Sequence, residues 1–243
     1  AMLKKMPEYM IDDNGIIKEW STPRLALTNA MIVCSCIYPL FDGMPEEIAQ
    51  SPELQAAFRK SIEYKLDTHW KNNQRGYMSF GLVQLGQAAT SLGEGELAYH
   101  CLKHLVNRFW LNNLASMHNH RSLFNMDISG GMPAVIIKVL TNPEPGRIQL
   151  LPALPKAWPV GSIEGVLCRG QIEIKSLRWS PDKSLVTLVS ARSQTVALET
   201  PVAITRFSVK EGDDTTEKGN SRKCLIVPLP AQQEVTLEID TDS

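Results

Sequence analysis

The chain has 243 residues, 43% of them apolar, enough to build one large domain or two ordinary ones around a packed core. Its 25 basic and 26 acidic residues leave a net charge of -1 and occur without blocks, so the sequence carries no electrostatic footprint for nucleic acid or an anionic membrane. No apolar run approaches the roughly 18 residues of a membrane span, and charges and Pro7 interrupt Met2 to Met10, so neither a transmembrane segment nor a signal peptide is read.

Ala1-Met2 reads as the remnant of a cleaved tag ahead of a start codon, so the natural chain is expected to begin there. Asp12-Asp13-Asn14-Gly15 is a turn signal before a short apolar run, Ile16-Ile17. Residues 22 to 40 predict a helix with Thr22 as N-cap and Pro23 at its first position, apolar on nearly every face and therefore buried. Pro45-Glu46-Glu47 and Ser51-Pro52-Glu53 are further helix starts. The second leads a helix to about Leu66 with Leu54, Ala57, Phe58, Ile62 and Leu66 on its apolar side. Residues 77–92 and 94–109 predict an antiparallel helix pair joined at Gly93-Glu94-Gly95.

From Trp110 to Asp127 the periodicity lapses, and the expectation is an ordered functional loop anchored by Trp110, Leu114, Leu123 and Phe124. The Gly130-Gly131 pair then leads into a last helix, about Pro133 to Leu140, with Pro133 in its first turn. Asn142 to Gly146 breaks that helix, and a Pro- and Leu-rich bridge marks a domain junction. Beyond Arg147 the period is that of strands. Val235, Leu237 and Ile239 alternate with polar residues, and Trp179 to Lys183 reads as a hairpin turn. Seven or so short strands predict an antiparallel sandwich, broken by a polar, mobile hairpin loop around Gly212 to Arg222. The expected organisation is a helical domain over residues 1–146 and a β-sandwich over 147–243.

Asp127 is the sole acidic residue between Glu96 and Glu144, flanked by Phe124, Met126 and Ile128. Such a carboxylate, expected to be buried, either caps the following helix or has its protonation tuned for acid-base work, and the glycines after it let backbone approach a ligand. His118-Asn119-His120 has a spacing found in metal sites, with Asp127 as a conceivable third ligand, but alternate loop histidines more often only hydrogen-bond. His100 and His104 lie one turn apart and read as a helix flank. No metal or cofactor is expected. The five cysteines share no spacing and read as buried free thiols. The five tryptophans serve either core packing or sugar stacking. Neither a nucleophile elbow nor a nucleotide-binding glycine motif is present.

Several strings together carry a family resemblance. Asn113-Leu114, His118, Phe124-Asn125-Met126-Asp127 and Gly130-Gly131 are followed by Leu150-Leu151-Pro152-Ala153-Leu154-Pro155, Trp158, Gly161 and Ile163-x-Gly165. Upstream stand Glu19-Trp20, Tyr38-Pro39 and Gly93-Glu94-Gly95-Glu96-x-Ala98-Tyr99. On these residues the chain resembles the family-95 glycoside hydrolases, the α-L-fucosidases and their α-L-galactosidase relatives, over roughly residues 16 to 180.

The resemblance implies the C-terminal part of an (α/α)6 barrel-like helical domain followed by the family's β-domain. It implies inverting hydrolysis with Asp127 on the base side and a carbohydrate, fucosyl or galactosyl, as the ligand; His118, Trp110, Asn113 and Asn125 are the expected substrate contacts. Inversion places two groups roughly 6.5–9.5 Å apart with water between them. The proton-donating glutamate is expected before residue 1, so the chain is expected to be weak or inactive alone, and a non-catalytic carbohydrate-binding or scaffold module is the alternative. Where the family carries a histidine- and arginine-rich sugar-contacting run, this chain has Thr28 to Val33, and its Gly-Trp-Ser stretch survives only as Gly76-Tyr77-Met78. About half of a twelve-helix barrel is visible, so self-association, or pairing with a chain that supplies the missing helices, is expected. Relatives usually act outside the cytoplasm, whereas this sequence itself gives no compartment.

Overall fold

The computed structural model describes residues 7–22, 34–71, 78–119, 122–212 and 216–242, with the backbone alone for 69 and 70. Most of the helix expected over 22–40 therefore lies outside the described residues, as do Thr28 to Val33, Gly76-Tyr77, His120 and the side chain of Trp70. The chain forms two compact units, residues 1–136 and 137–243.

In the first unit, Asp12 closes its turn by accepting the backbone N–H groups of Asn14 and Ile16 on Oδ1, at 2.9 Å each. The turn pairs Ile11 with Ile17 and buries Ile16 and Ile17, and Ile17 N donates to Ser61 Oγ. A 3-10 helix, Ser35–Leu40, takes in Pro39. The short α1, Glu46–Ala49, precedes α2, Pro52–Lys71, where the hydroxyl of Ser51 accepts Leu54 N–H as an N-cap does. Helix α2 runs a turn past Leu66 and buries Ala57, Phe58, Ile62 and Leu66.

Helix α3, Ser79–Ser91, is buried on nearly all sides, with Leu82, Val83, Leu85, Ala88 and Ala89 in the core. It packs against α4, Gly95–Phe109, whose buried Ala98, Cys101, Leu102 and Leu105 lie on one face at helical spacing. Their connector uses Gly93 at φ 74°, and Glu94 returns to α2 through an ion pair with Arg59 at 2.7 Å. Exposed His100 and buried His104, the latter beside Phe109, sit in different environments on α4.

The Glu19 landmark is a buried carboxylate. Its Oε1 accepts from Ser35 Oγ at 3.0 Å and lies 4.0 Å from Lys65 Nζ, while Oε2 has no hydrogen-bond partner among the described residues. Cys34, Cys36, Cys101 and Cys224 are buried free thiols and Cys168 is half-buried. Burial pushes the Cys34 thiol up to about 12 and Cys168 up to about 11.

The last helix departs from expectation. Helix α5 spans Asp127–Leu140, so it starts six residues early, Pro133 lies inside it, and Gly130 and Gly131 are helical. A Cβ on Gly131 would lie 2.6 Å from Val83 Cγ1, so the glycine lets α5 pack closely on α3. Close helix packing rather than ligand approach explains that residue.

The second unit holds two five-stranded sheets. The Pro-rich break expected at 142–146 is instead an edge hairpin, β3, Thr141–Glu144, paired with β4, Arg147–Leu150, around Gly146 at φ 76°. Pro143 is tolerated because β3 is an edge strand. The sheet continues β4, β8 (Gln194–Glu199), β11 (Cys224–Leu229) and β10 (Glu217–Lys218), with β4 and β8 as a parallel pair among antiparallel ones. The other sheet runs β5 (Gly161–Cys168), β6 (Ile172–Ser180), β7 (Lys183–Ser190), β12 (Glu234–Thr241) and β9 (Ile204–Glu211), antiparallel throughout. Val235, Leu237 and Ile239 of β12 are buried and their polar neighbours face out, which makes the assembly sandwich-like. Part of the expected polar loop is β10, and residues 213–215 within it are outside the described set.

The LLPALP string holds a helix end. The N–H groups of Leu151 and Ala153 donate to the carbonyls of Leu140 and Val139, at 2.8 and 3.3 Å, occupying acceptors that the terminus of α5 leaves open. Trp158 follows, and its carbonyl accepts Trp179 Nε1–H at 2.9 Å.

Candidate functional site

The segment after α4 begins as a tight loop. Trp110 bridges Ser116, the backbone N–H of Leu111 donates to the Ala115 carbonyl, and Asn113 Oδ1 accepts Ala115 N–H at 3.1 Å. A two-stranded hairpin follows, β1 (Met117–Asn119) and β2 (Ser122–Phe124). The loop is ordered but not held as expected. Leu114, Leu123 and Phe124 are 76%, 67% and 64% exposed, so of the four anticipated anchors Trp110 alone is half-buried. Leu114 and Leu123 also take left-handed φ values of 65° and 57°, which bulky residues adopt only when the surrounding backbone dictates it.

Hydrogen bonds rather than apolar anchors fix this segment. Buried Ser116 bonds the Asn125 carbonyl and shares a 2.8 Å contact with Ser129 Oγ, and its own carbonyl accepts Asn125 N–H at 3.0 Å. Ser116 thus ties the base of the hairpin to the first turn of α5. A lone serine between Ala115 and Met117 has no spacing that would have marked it in the sequence.

Asn125 is 6% exposed and bonds in two directions. Its Oδ1 accepts Ile128 N–H at 3.1 Å, the N-cap bond of α5, and its Nδ2 donates to Asp127 Oδ2 at 2.8 Å. Asparagine is therefore the cap, and Asp127 is not. Asp127 is also exposed rather than buried, because the core side of the helix start is filled by Ile128 while Met126 and Asp127 point outward. Its carboxylate lies in the first turn, where aligned N–H groups favour negative charge, with one oxygen held by Asn125.

His118 on β1 bonds Asn119 Oδ1 through Nδ1 at 2.6 Å, and its ring centroid is 5.9 Å from that of Phe80. Because Asn119 Oδ1 can only accept, Nδ1 is the donor in this contact, and Nε2 is left for other partners. Trp110 and Asn113 come together on an open groove of about 680 Å³, shared with Asn107, Arg108, Leu111, Asn112 and Met117. The structure thus gathers Trp110 with Asn113 and Asn125 with Asp127, and joins the pairs through Ser116. His118 is reached separately, along β1 toward α3. Among the described residues no group of three or more His, Cys, Asp or Glu side chains is placed to hold a metal ion.

Comparison with known proteins follows the same division. Residues 1–140 match the profile described as the glycosyl hydrolase family 95 catalytic domain, and residues 143–239 that described as the glycoside hydrolase family 95 C-terminal domain. Alpha-L-fucosidase 2 of Arabidopsis thaliana is 26% identical over 194 residues, which cover 74% of this chain. They cover 21% of that relative, so the chain spans about a fifth of its length. A solved GH127 β-arabinofuranosidase aligns over 77% of this chain and 32% of its own, at 8% identity and a TM-score of 0.29, too slight a likeness to carry an argument. With both profiles matched in order, and the first covering more than half the sequence, this chain belongs to glycoside hydrolase family 95.

Proposed function

We propose that this chain supplies the base side of an inverting α-L-fucoside hydrolysis, with Asp127 as the base, in a helical part built as a portion of an (α/α)6 barrel. The observation that carries the reading is the 2.8 Å bond from Asn125 Nδ2 to Asp127 Oδ2 at the exposed start of α5, within the FNMD-x-x-GG string. Asn125 is fixed by the Ile128 amide, so it holds one carboxylate oxygen and leaves Oδ1 to take a proton from water attacking the anomeric carbon. Inversion also requires an acid on the opposite face, and the family motifs place none in this chain. The chain alone is then weak or inactive. Trp110, Asn113 and His118 Nε2 are the sugar contacts in this reading.

Titration of the labelled protein with L-fucose, together with an aryl α-L-fucoside assay, tests the proposal. L-Fucose is expected to shift the amide resonances of residues 125–128, Asp127→Asn to weaken its binding about tenfold, as loss of a charge-assisted hydrogen bond does, and turnover to stay near background. Binding indifferent to Asp127→Asn, or robust turnover indifferent to it, would remove Asp127 from the site.

A second reading has its own support. The groove with Trp110 and Asn113 is not lined by Asp127, which suits a carbohydrate-binding module without catalysis. Saccharide binding that survives Asp127→Ala and fails with Trp110→Ala favours it.

A further inference from the structure

Between α2 and α4 lies a second groove, of about 460 Å³, within the size range of small-ligand sites. We propose that it is a saccharide subsite that takes neutral sugar units beyond the one bound at Trp110 and Asn113. The inference rests on the carbohydrate-binding part of the function proposed above.

Position is the first argument. Asn107, in the last turn of α4, lines both this groove and the one containing Trp110 and Asn113, so the two adjoin at that residue. A ligand longer than one ring extends from one into the other without leaving the surface.

Chemistry is the second. The floor is apolar, made by Leu66 and Leu97, as a pyranose needs under its C–H face. Asp67 on one wall accepts hydrogen bonds, Lys103 donates, and His100 and Asn107 on the α4 side do both. Among the described residues the side chains of His100 and Asn107 make no hydrogen bond, so their polar atoms are available to hydroxyl groups. The charges are compensated locally: Glu63 by Arg59 at 3.2 Å, Asp67 by Lys71 at 2.6 Å, and Lys103 lies 5.5 Å from the centre of the Tyr99 ring. With acceptors and donors mixed and no net field of one sign, the groove suits an uncharged polyhydroxyl ligand rather than a phosphate or a cation.

The experiment compares L-fucose with a neutral trisaccharide that ends in α-L-fucose, by calorimetry on the full chain and on Asp67→Asn, His100→Ala and their double variant. These positions are on the solvent side of the helices, and circular dichroism checks that each variant is folded. The trisaccharide is expected to bind at least tenfold more tightly than L-fucose, and the double variant to lose that advantage while L-fucose binding is unchanged. Equal affinity for the two sugars, or a trisaccharide advantage untouched by the variants, overturns the subsite and leaves the function proposed above standing. If L-fucose fails to bind but the trisaccharide binds and responds to the variants, the subsite stands and the base-side reading falls. No binding of either sugar overturns both.

Discussion

Asn125 satisfies the amide of Ile128 and steers the carboxylate of Asp127 with the two ends of one side-chain amide, so substitutions can separate its roles. Asn125→Ala removes the cap and is expected to cost about 1–2 kcal/mol, read as a lowered denaturation midpoint. Asn125→Ser keeps a cap hydroxyl but cannot reach Asp127 as a donor in the same way, so stability is expected to hold while L-fucose binding weakens. The buried Glu19–Lys65 pair gives a second contrast. Lys65→Met strands a carboxylate and is expected to cost roughly 3–5 kcal/mol, whereas Lys65→Met combined with Glu19→Gln recovers most of the loss in urea denaturation. The thiols give a third. Burial favours their neutral form in the folded chain, with Cys34 pushed up to about 12 and Cys168 up to about 11. An unfolded thiol ionises near about 8.5, so this contribution to stability is complete below that pH and is lost as pH rises through 8.5 toward 12. Thermal scans should show a falling midpoint across that window. At pH 8 a thiol reagent should label the native chain far more slowly than the denatured one, with Cys168 reacting first.

Helix α5 shows how far element-level reading of a sequence reaches. Its C-terminal half was legible from periodicity, but Gly130-Gly131 and Pro133 resemble loop punctuation, and the cue that keeps them helical lies on another element. Val83 of α3 occupies the space where a Cβ on Gly131 would stand. Gly131→Ala is therefore expected to destabilise the helical unit by about 1–3 kcal/mol, and Val83→Ala to relieve part of that cost in a double-mutant cycle. The strands were readable for the opposite reason. Alternation in β12 is a local property, and Val235, Leu237 and Ile239 turn inward as their spacing requires. The hairpin at 117–124 was not readable, because hydrogen bonds of Ser116 and Asn125 hold it while its leucines and Phe124 face out. Of the candidate site, the residue types at Trp110, Asn113, His118, Asn125 and Asp127 stood out in the sequence. The exposure of Asp127 and the linkage through Ser116 arise only from the fold.

At the scale of the molecule, family membership is established by profiles that cover nearly all of the sequence, while the curated fucosidase it matches extends well beyond it. Leu114, Leu123, Phe124 and Met126, each more than 60% exposed, put a concentration of apolar surface near the start of α5. This supports the expectation that the protein associates with itself. Light scattering on the purified protein should then give a mass above 27.1 kDa, and Phe124→Ser with Met126→Ser should lower it. A monodisperse species at 27.1 kDa would count against that association.

The two bonds that LLPALP donates to the carbonyls of Val139 and Leu140 bear on how the gene can be cut. A shortened product ending at Leu140 would retain every residue of the helix yet expose those acceptors to solvent, and its last turn should fray, visible as faster amide exchange there. Expression boundaries intended to preserve an intact α5 should run through Pro155, so that the motif that fastens the helix travels with it.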